Sequence, residues 1–278
     1  TVPDIGGWSV TNQGMRSYSL NLMGPVSIGD FNADGVPDII GITNTAEPPN
    51  LAGEVRVWSF VTGEDGLPAL QTADVMPLQP GPVLDFAHCD NNMYTLVAGL
   101  ENSTLHRTKL TAVADAFTLE DMWGPKPVTG DSIACGRASL GTNGVAVGSN
   151  DGTWTIYNND GTELSTGMDT PGYAIAMADT DGDGIDEVHG CGDMGCQIMG
   201  TDFNGDGLDE VVRSNNQGTT IESIAGIQQI NSRGYLSTGD INGDGHDDLA
   251  FNNQLDQNID FYMGDGSGTS SAASSSAA

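Results

Sequence analysis

Asp202-Phe203-Asn204-Gly205-Asp206-Gly207-Leu208-Asp209-Glu210 sets acidic or amide side chains at alternate positions, then a glycine, then a further acid. The pattern returns at Asp30-Phe31-Asn32-Ala33-Asp34-Gly35-Val36-Pro37-Asp38, at Asp179-Thr180-Asp181-Gly182-Asp183-Gly184-Ile185-Asp186-Glu187 and at Asp240-Ile241-Asn242-Gly243-Asp244-Gly245-His246-Asp247-Asp248. The shared rule is D-x-[DN]-x-D-G-x-x-[DE], and four copies in one chain exceed chance. Calcium is a hard cation that takes 6 to 8 oxygens at about 2.3–2.6 Å, and a tight turn with oxygen side chains at alternate positions aims them at one centre. Positions 1, 3 and 5 supply that set. The glycine at position 6 permits a sharp turn with positive φ, position 7 offers its backbone carbonyl, and the acid at position 9 completes the shell.

The expected metal ligands are therefore Asp30, Asn32, Asp34, the carbonyl of Val36 and Asp38 in the first loop, and Asp179, Asp181, Asp183, the carbonyl of Ile185 and Glu187 in the second. The third supplies Asp202, Asn204, Asp206, the carbonyl of Leu208 and Glu210. The fourth supplies Asp240, Asn242, Asp244, the carbonyl of His246 and Asp248. About four Ca2+ ions are expected. Four anionic side chains make the second loop the tightest site on charge counting alone. A helix-loop-helix hand requires a bidentate Glu at position 12, whereas position 12 here is Gly41, Gly190, Arg213 and Phe251. Dockerin-type duplications also run into a helix. Thrombospondin type 3 repeats resemble the loop at 179–187 but lack the intervening strand pairs.

Working outward, strand-length apolar runs flank each loop: Val26-Ser27-Ile28 and Ile39-Ile40, Ala174-Ile175-Ala176-Met177 and Val188, Val211-Val212, Tyr235-Leu236 and Leu249-Ala250-Phe251. An aromatic alternation ending in an acidic-Gly hairpin signal follows at Val55–Gly66, Thr153–Gly161 and Ile259–Gly266. One unit thus reads as four antiparallel strands over about 40 residues, which is a propeller blade. Two degenerate units without carboxylates lie at 83–98 and 133–147. The interval of 23 residues between the second and third loops is too short for a full blade: one unit is truncated to a hairpin, or two half-blades merge. The fold class is all-β, a propeller of six or seven four-stranded antiparallel blades over 1–266. The last unit lacks a fourth strand in this reading, and an N-terminal strand around Trp8-Ser9-Val10 closes the ring. Residues 267–278 read as a Ser/Ala-rich flexible tail or linker.

Composition narrows the partners. Eight Lys+Arg against 38 Asp+Glu give a formal charge of −30, a field that repels phosphate backbones and anionic membrane surfaces. Nucleic acid is excluded as a partner, and no apolar run approaches the roughly 18 residues of a membrane helix. A start at Thr1 without an apolar leader reads as a processed chain or an excised piece.

In these loops and their flanking strands, the chain resembles the FG-GAP/VCBS family of integrin-α-like β-propellers across residues 1–266. The resemblance implies calcium in loops between the first two strands of blades, secretion or surface display, and adhesion or ligand recognition. The chain departs from the family in lacking a Gly-Ala-Pro triplet after the loops and in having at least two units with no calcium ligands.

Cys191 and Cys196 bracket a sharp turn and read as a local disulfide in an oxidising compartment. A zinc site with His189 lacks a fourth ligand. Cys89 and Cys135 fall at equivalent places in the two degenerate units, where a cross-blade bridge takes over from the missing metal ties. No nucleophile-base arrangement or G-x-S-x-G occurs, and an enzyme is not expected. Trp58 and Trp154 sit at equivalent repeat positions and read as packing between blades; Trp123, in a Pro-rich stretch, is the candidate exposed contact. Asn102-Ser103-Thr104 matches a glycosylation acceptor. The expected function is a secreted or cell-surface calcium-binding propeller that recognises a carbohydrate or protein ligand. The rivals are a structural subunit of a calcium-bridged extracellular layer or filament, with like subunits as partners, and the non-catalytic part of a polysaccharide-acting enzyme.

Overall fold

The computed structural model describes residues 27–29, 31, 38–44, 52–62, 68–80, 83–89, 92–98, 103–113, 116–169, 174–192, 196–215, 217–224, 226–230, 234–239, 246–253, 258–264 and 271–275. All regular elements among them are strands. The first sheet contains β1 (Ser27–Gly29), β2 (Asp38–Asn44), β3 (Ala52–Thr62) and β4 (Pro68–Pro80). The second contains β5 (Val83–Cys89), β6 (Asn92–Val97), β7 (Ser103–Val113) and β8 (Ala116–Val128), and the third β9 (Ser132–Ser139), β10 (Thr142–Gly148), β11 (Thr153–Asn158) and β12 (Glu163–Met168). A two-stranded sheet follows, β13 (Ala174–Ala178) with β14 (Glu187–Cys191). Two further four-stranded sheets complete the described chain: β15 (Gln197–Thr201), β16 (Glu210–Asn215), β17 (Gly218–Ser223) and β18 (Gly226–Ile230), then β19 (Gly234–Gly239), β20 (Asp248–Asn253), β21 (Asn258–Met263) and β22 (Ser271–Ser275).

Every sheet is a meander whose strands pair in chain order and antiparallel. The first strand of one sheet lies against the first strand of the next, β5 on β9, β9 on β13, β13 on β15 and β15 on β19. That is the arrangement of propeller blades. It also explains the sequence: a blade is covered on both faces, so its inner strands carry near-continuous apolar runs such as Val145–Val147, all buried.

The core is accordingly divided among blade interfaces. Ile40, Ile42, Val55 and Val57 meet Val83, Phe86 and Met93 between the first and second sheets; Tyr94, Leu96 and Leu105 meet Ile133, Val145 and Val147 between the second and third. Ala146 and Ile156 meet Met177 and Val188 on the hairpin, and Phe203, Val212 and Ile221 meet Leu236 and Leu249 between the last two sheets. Between β13 and β15 the backbones approach closely. A Cβ at Gly200 would lie 2.5 Å from the Cβ of Ala178 on β13, so any larger residue there separates β13 from β15.

Two expectations are revised. The described residues make five four-stranded sheets and one two-stranded sheet, not six or seven four-stranded blades. The hairpin arises because only four residues separate Cys191 from Cys196, and that bridge returns the chain directly to β15. The last sheet takes its fourth strand from β22, in the Ser/Ala-rich segment assigned above to a flexible tail, with Phe261 opposite Ala273. The N-terminal segment expected to close the ring lies outside the described residues, as do Trp8, Asn102 and the Asp-Gly signals at 65–66 and 265–266. Asp160-Gly161 does form the turn between β11 and β12, with Gly161 at φ 81° and its N–H on the Asn158 carbonyl.

The second and third sheets, which have no acidic loop, are tied differently. Cys89 at the end of β5 is bonded to Cys135 on β9, with Cα atoms 6.0 Å apart. Nearby, Asp85 on β5 accepts the Ile133 N–H of β9 at 2.9 Å and the Phe86 N–H at 2.9 Å. Burial pushes the Asp85 carboxyl up to about 6, and the charge of Asp131 adds to the rise against the pull of the two N–H groups.

Replacing both Cys89 and Cys135 by Ser reopens a 46-residue separation; urea denaturation is expected to show a loss of about 2–4 kcal/mol, mostly through the unfolded state. For Asp85 the folded carboxyl titrates above its unfolded value of 3.8, so its contribution is complete below about pH 4 and is lost as pH rises through about 6. Between about pH 4 and 6 the parent chain should therefore lose up to about 3 kcal/mol relative to its own difference from Asp85→Asn at lower pH, in denaturation midpoints measured at matched calcium. The variant, which keeps only one of the two N–H acceptors, should lack that pH dependence.

Candidate metal centre

Each acidic loop joins the first strand of its sheet to the second in one shared register. Gly29 faces Asp38, Ala178 faces Glu187, Thr201 faces Glu210 and Gly239 faces Asp248, so the residue before position 1 always opposes the acid at position 9. That acid opens the second strand and accepts the N–H of position 2. Phe31 donates to Asp38 at 3.3 Å, Thr180 to Glu187 at 3.0 Å and Phe203 to Glu210 at 2.9 Å. Asp38 and Asp248 have no exposed surface, and Asp248 also accepts the Gly264 N–H.

The loops at 179–187 and 202–210 are described in full. In the first, Asp179 is buried and its two oxygens accept the N–H groups of Gly182 at 2.8 Å and Gly184 at 3.1 Å. Asp181 accepts from Asp183, and Asp183 from Ile185. Carboxylate oxygens of Asp179, Asp181 and Glu187 lie within 4.8 Å of one another, and this is the single such group among the described residues. Asp183 stands outside it. In the second, Asp202 accepts the Gly207 N–H, Asn204 the Asp206 N–H and Asp206 the Leu208 N–H. The Asn204 amide nitrogen donates to both Asp206 and Glu210, at 3.1 and 2.7 Å. Gly184 and Gly207, at position 6, take φ of 85° and 88°, the left-handed turn that the pattern requires there.

The loop at 202–210 carries a different sign of a cation site, although the carboxylates of Asp202, Asp206 and Glu210 do not converge as those at 179–187 do. The second oxygen of Asp202, Oδ1, is buried with no hydrogen-bond partner, and such a group costs about 1–3 kcal/mol unless something satisfies it. The loop that contains it carries the carboxylates of Asp202, Asp206 and Glu210 and the amide of Asn204, side chains whose oxygens suit a hard cation. Burial pushes the Glu210 carboxyl up to about 7, and the neighbouring charges of Asp206 and Asp202 push in the same direction. Of the other expected ligands, Asp30, Asn32, Asp34, Val36, Asp240, Asn242 and Asp244 lie outside the described residues. His246 is half-buried beside Gly205.

Position 8 is where sequence reading fell short, because the repeat rule leaves it open. Asp209 accepts the Asp179 N–H at 2.9 Å, and its own N–H donates to the Asp179 carbonyl at 2.8 Å. Asp186 makes the same reciprocal pair one sheet earlier with Arg137, and the Arg137 guanidinium reaches both Asp186 and Asp179. Asp247 accepts the Thr201 hydroxyl and donates its N–H to the Asp202 carbonyl. The loops that carry Asp186, Asp209 and Asp247 are thereby bound to the sheet that precedes each of them. The signal was Asp in three of four copies, with Pro37 in the first.

The remaining expectations divide. Both disulfides are present and no described cysteine is free. Trp58 is buried, and Trp154 packs between the third sheet and the hairpin. Trp123 is not an exposed contact: its indole N–H donates to the Asn159 carbonyl at 2.8 Å and its ring packs beside Tyr94. Among the described residues no helix is long and apolar enough to cross a membrane.

No family model and no curated protein matches the chain. Among solved structures, BBS1N in complex with ARL6DN aligns at a TM-score of 0.43 and 11% identity, over 86% of this chain and 92% of that one. A lectin of Agrocybe aegerita, described as recognising non-reducing terminal N-acetylglucosamine, aligns at a TM-score of 0.42 and 12% identity, over 90% and 79%. At these scores neither bears on ligand or activity.

Asp209→Ala strands the buried Asp179 N–H and should lower stability by about 1–3 kcal/mol, with Asp209→Asn recovering part of the loss. Equal denaturation midpoints for the alanine variant and the parent chain would show that position 8 does not join the blades.

Proposed function

We propose that the chain is a calcium-stabilised β-propeller of the FG-GAP/VCBS type that acts outside the cell as a recognition module and not as an enzyme. The observation that carries the metal reading is the buried, unpartnered Oδ1 of Asp202 inside a turn of oxygen donors. Asp202, Asn204, Asp206, the Leu208 carbonyl and Glu210 would hold one ion. Asp179, Asp181, Asp183, the Ile185 carbonyl and Glu187 would hold a second, and the equivalent residues at 30–38 and 240–248 two more. The bound ion supplies positive charge that carboxylates within one turn otherwise lack.

The chain's own residues then carry that local order outward. The position-9 acid fixes the start of the second strand, and the position-8 aspartate fixes the loop to its neighbour. Binding that needs the folded loop adds to folding stability, about 2.7 kcal/mol per site at a free concentration one hundred times Kd. Extracellular modules commonly bind calcium at 10⁻⁴–10⁻³ M. Two disulfides fit an extracellular protein, and the net charge of −30 is compatible with a partner that is neither nucleic acid nor an anionic membrane. The described loop acids already accept loop N–H groups, which favours a binding role over acid-base catalysis.

Calorimetry after chelation should show several calcium sites and a rise in Tm on adding the ion back, with Asp206→Ala and Asp183→Ala each reducing the number of sites and the shift. Identical melting curves in chelator and in millimolar calcium would overturn the metal reading.

A further inference from the structure

The two-stranded sheet leaves a gap where its third and fourth strands would be, and the gap is a cleft of about 570 Å³ between the hairpin and the sheet that follows it. Its wall on one side is β14, and on the other β16 and β17 with Gln229 of β18. That volume falls within the roughly 300–1,000 Å³ of sites for small molecules. We propose that this cleft is the recognition site and that its ligand is a neutral saccharide, an inference that rests on reading the chain as a recognition module.

The lining decides the class of ligand. An added peptide strand needs free backbone groups on β14, but the Gly190 groups that face away from β13 are already taken. The Gly190 N–H donates to Asp169 at 2.8 Å, and its carbonyl accepts from Arg213 Nε at 3.1 Å. An anion needs a free cation, yet the Arg213 guanidinium is shared between Gly190 and an ion pair with Glu222. A metal needs converging ligands, and among the described residues the one such group lies in the loop at 179–187. Left facing the cleft are the amides of Gln217 and Gln229, the Thr220 hydroxyl and the imidazole of His189.

His189 supplies the independent observation. Its Nε2 is buried and has no hydrogen-bond partner, beside a cleft whose Arg213 is paired with Glu222 and whose Asp169 is held by the Gly190 N–H. An uncharged ligand bearing several hydroxyls matches such a lining, because each hydroxyl both donates and accepts, and one of them satisfies the imidazole. Polar groups left unpaired by a ligand lacking those hydroxyls make the site selective against apolar molecules.

The test is binding of the disulfide-intact chain, in millimolar calcium, to an array of neutral mono- and oligosaccharides with sialylated and sulfated glycans as separate arms. The strongest neutral sugar is then titrated by calorimetry. Neutral glycans should bind, His189→Phe should weaken the titrated sugar ten-fold or more, and Thr220→Phe, which fills the cleft from a different strand, should do the same. Both variants should keep the parent Tm and its calcium shift. Binding confined to charged glycans, no binding at all, or neutral binding unchanged in both variants would overturn the proposal. The calcium shift in Tm reads the metal assignment separately, so loss of one does not imply loss of the other.

Discussion

A buried carboxylate at the first residue of a second strand is the joint on which each acidic loop turns. Asp38, Glu210 and Asp248 are all buried, and Glu187 is half-buried. Burying an ionised acid without partners costs several kcal/mol, so the chain arranges donors around it. The N–H of position 2 points back at the acid, the loop closes over eight residues, and the register of the two strands follows from that closure. Four loops with one pattern therefore produce four strand pairs with one register. What the backbone cannot neutralise is the summed charge, and that remainder is what the proposed ions would answer while the turns themselves serve as structural corners.

The aspartates at position 8 extend the same logic from one sheet to the next. Each offers a carboxylate and an N–H to a partner on the preceding sheet, so a loop ordered at one blade presents correctly placed backbone to its neighbour. Asp209 and Asp179 are the clearest pair, because position 8 of one loop holds position 1 of another. Where acidic loops are missing, the connection is covalent or made by a different acid: Cys89 to Cys135, and Asp85 to the N–H of Ile133. The blades thus have polar or covalent stitching at one end and apolar packing, such as Tyr94 and Leu96 against Val145 and Val147, along their faces.

Much of this was legible because it is local. Spacing within nine residues placed the loop acids, apolar runs on either side marked the strand pair, and the interval of 23 residues left a unit truncated to a hairpin as one of two readings. Features decided by long-range contact were not. Ser271–Ser275 has little intrinsic preference for a strand, and it becomes one by pairing its backbone with β21. Trp123 reads as exposed from its Pro-rich surroundings, but a carbonyl 36 residues away captures its indole N–H. Asp186, Asp209 and Asp247 look like variable positions in the repeat because their partners lie in a different copy of it.

A two-stranded hairpin among four-stranded blades ought to be the weak point of such an array, since an open edge invites pairing with other chains and two strands alone are marginal. Here the weakness is answered from three directions. The Cys191–Cys196 bridge holds the exit of β14 to the start of β15; Met177 and Val188 pack onto the third sheet; and Asp169 and Arg213, from the sheets on either side, occupy the edge peptide that a third strand would have used. The same substitutions that seal the edge leave the space beyond it unfilled. A blade shortened in this way keeps its place between its neighbours while exposing polar walls of the next sheet, and that combination of a protected backbone with an open, hydroxyl- and amide-lined cleft is what a full four-stranded blade could not provide.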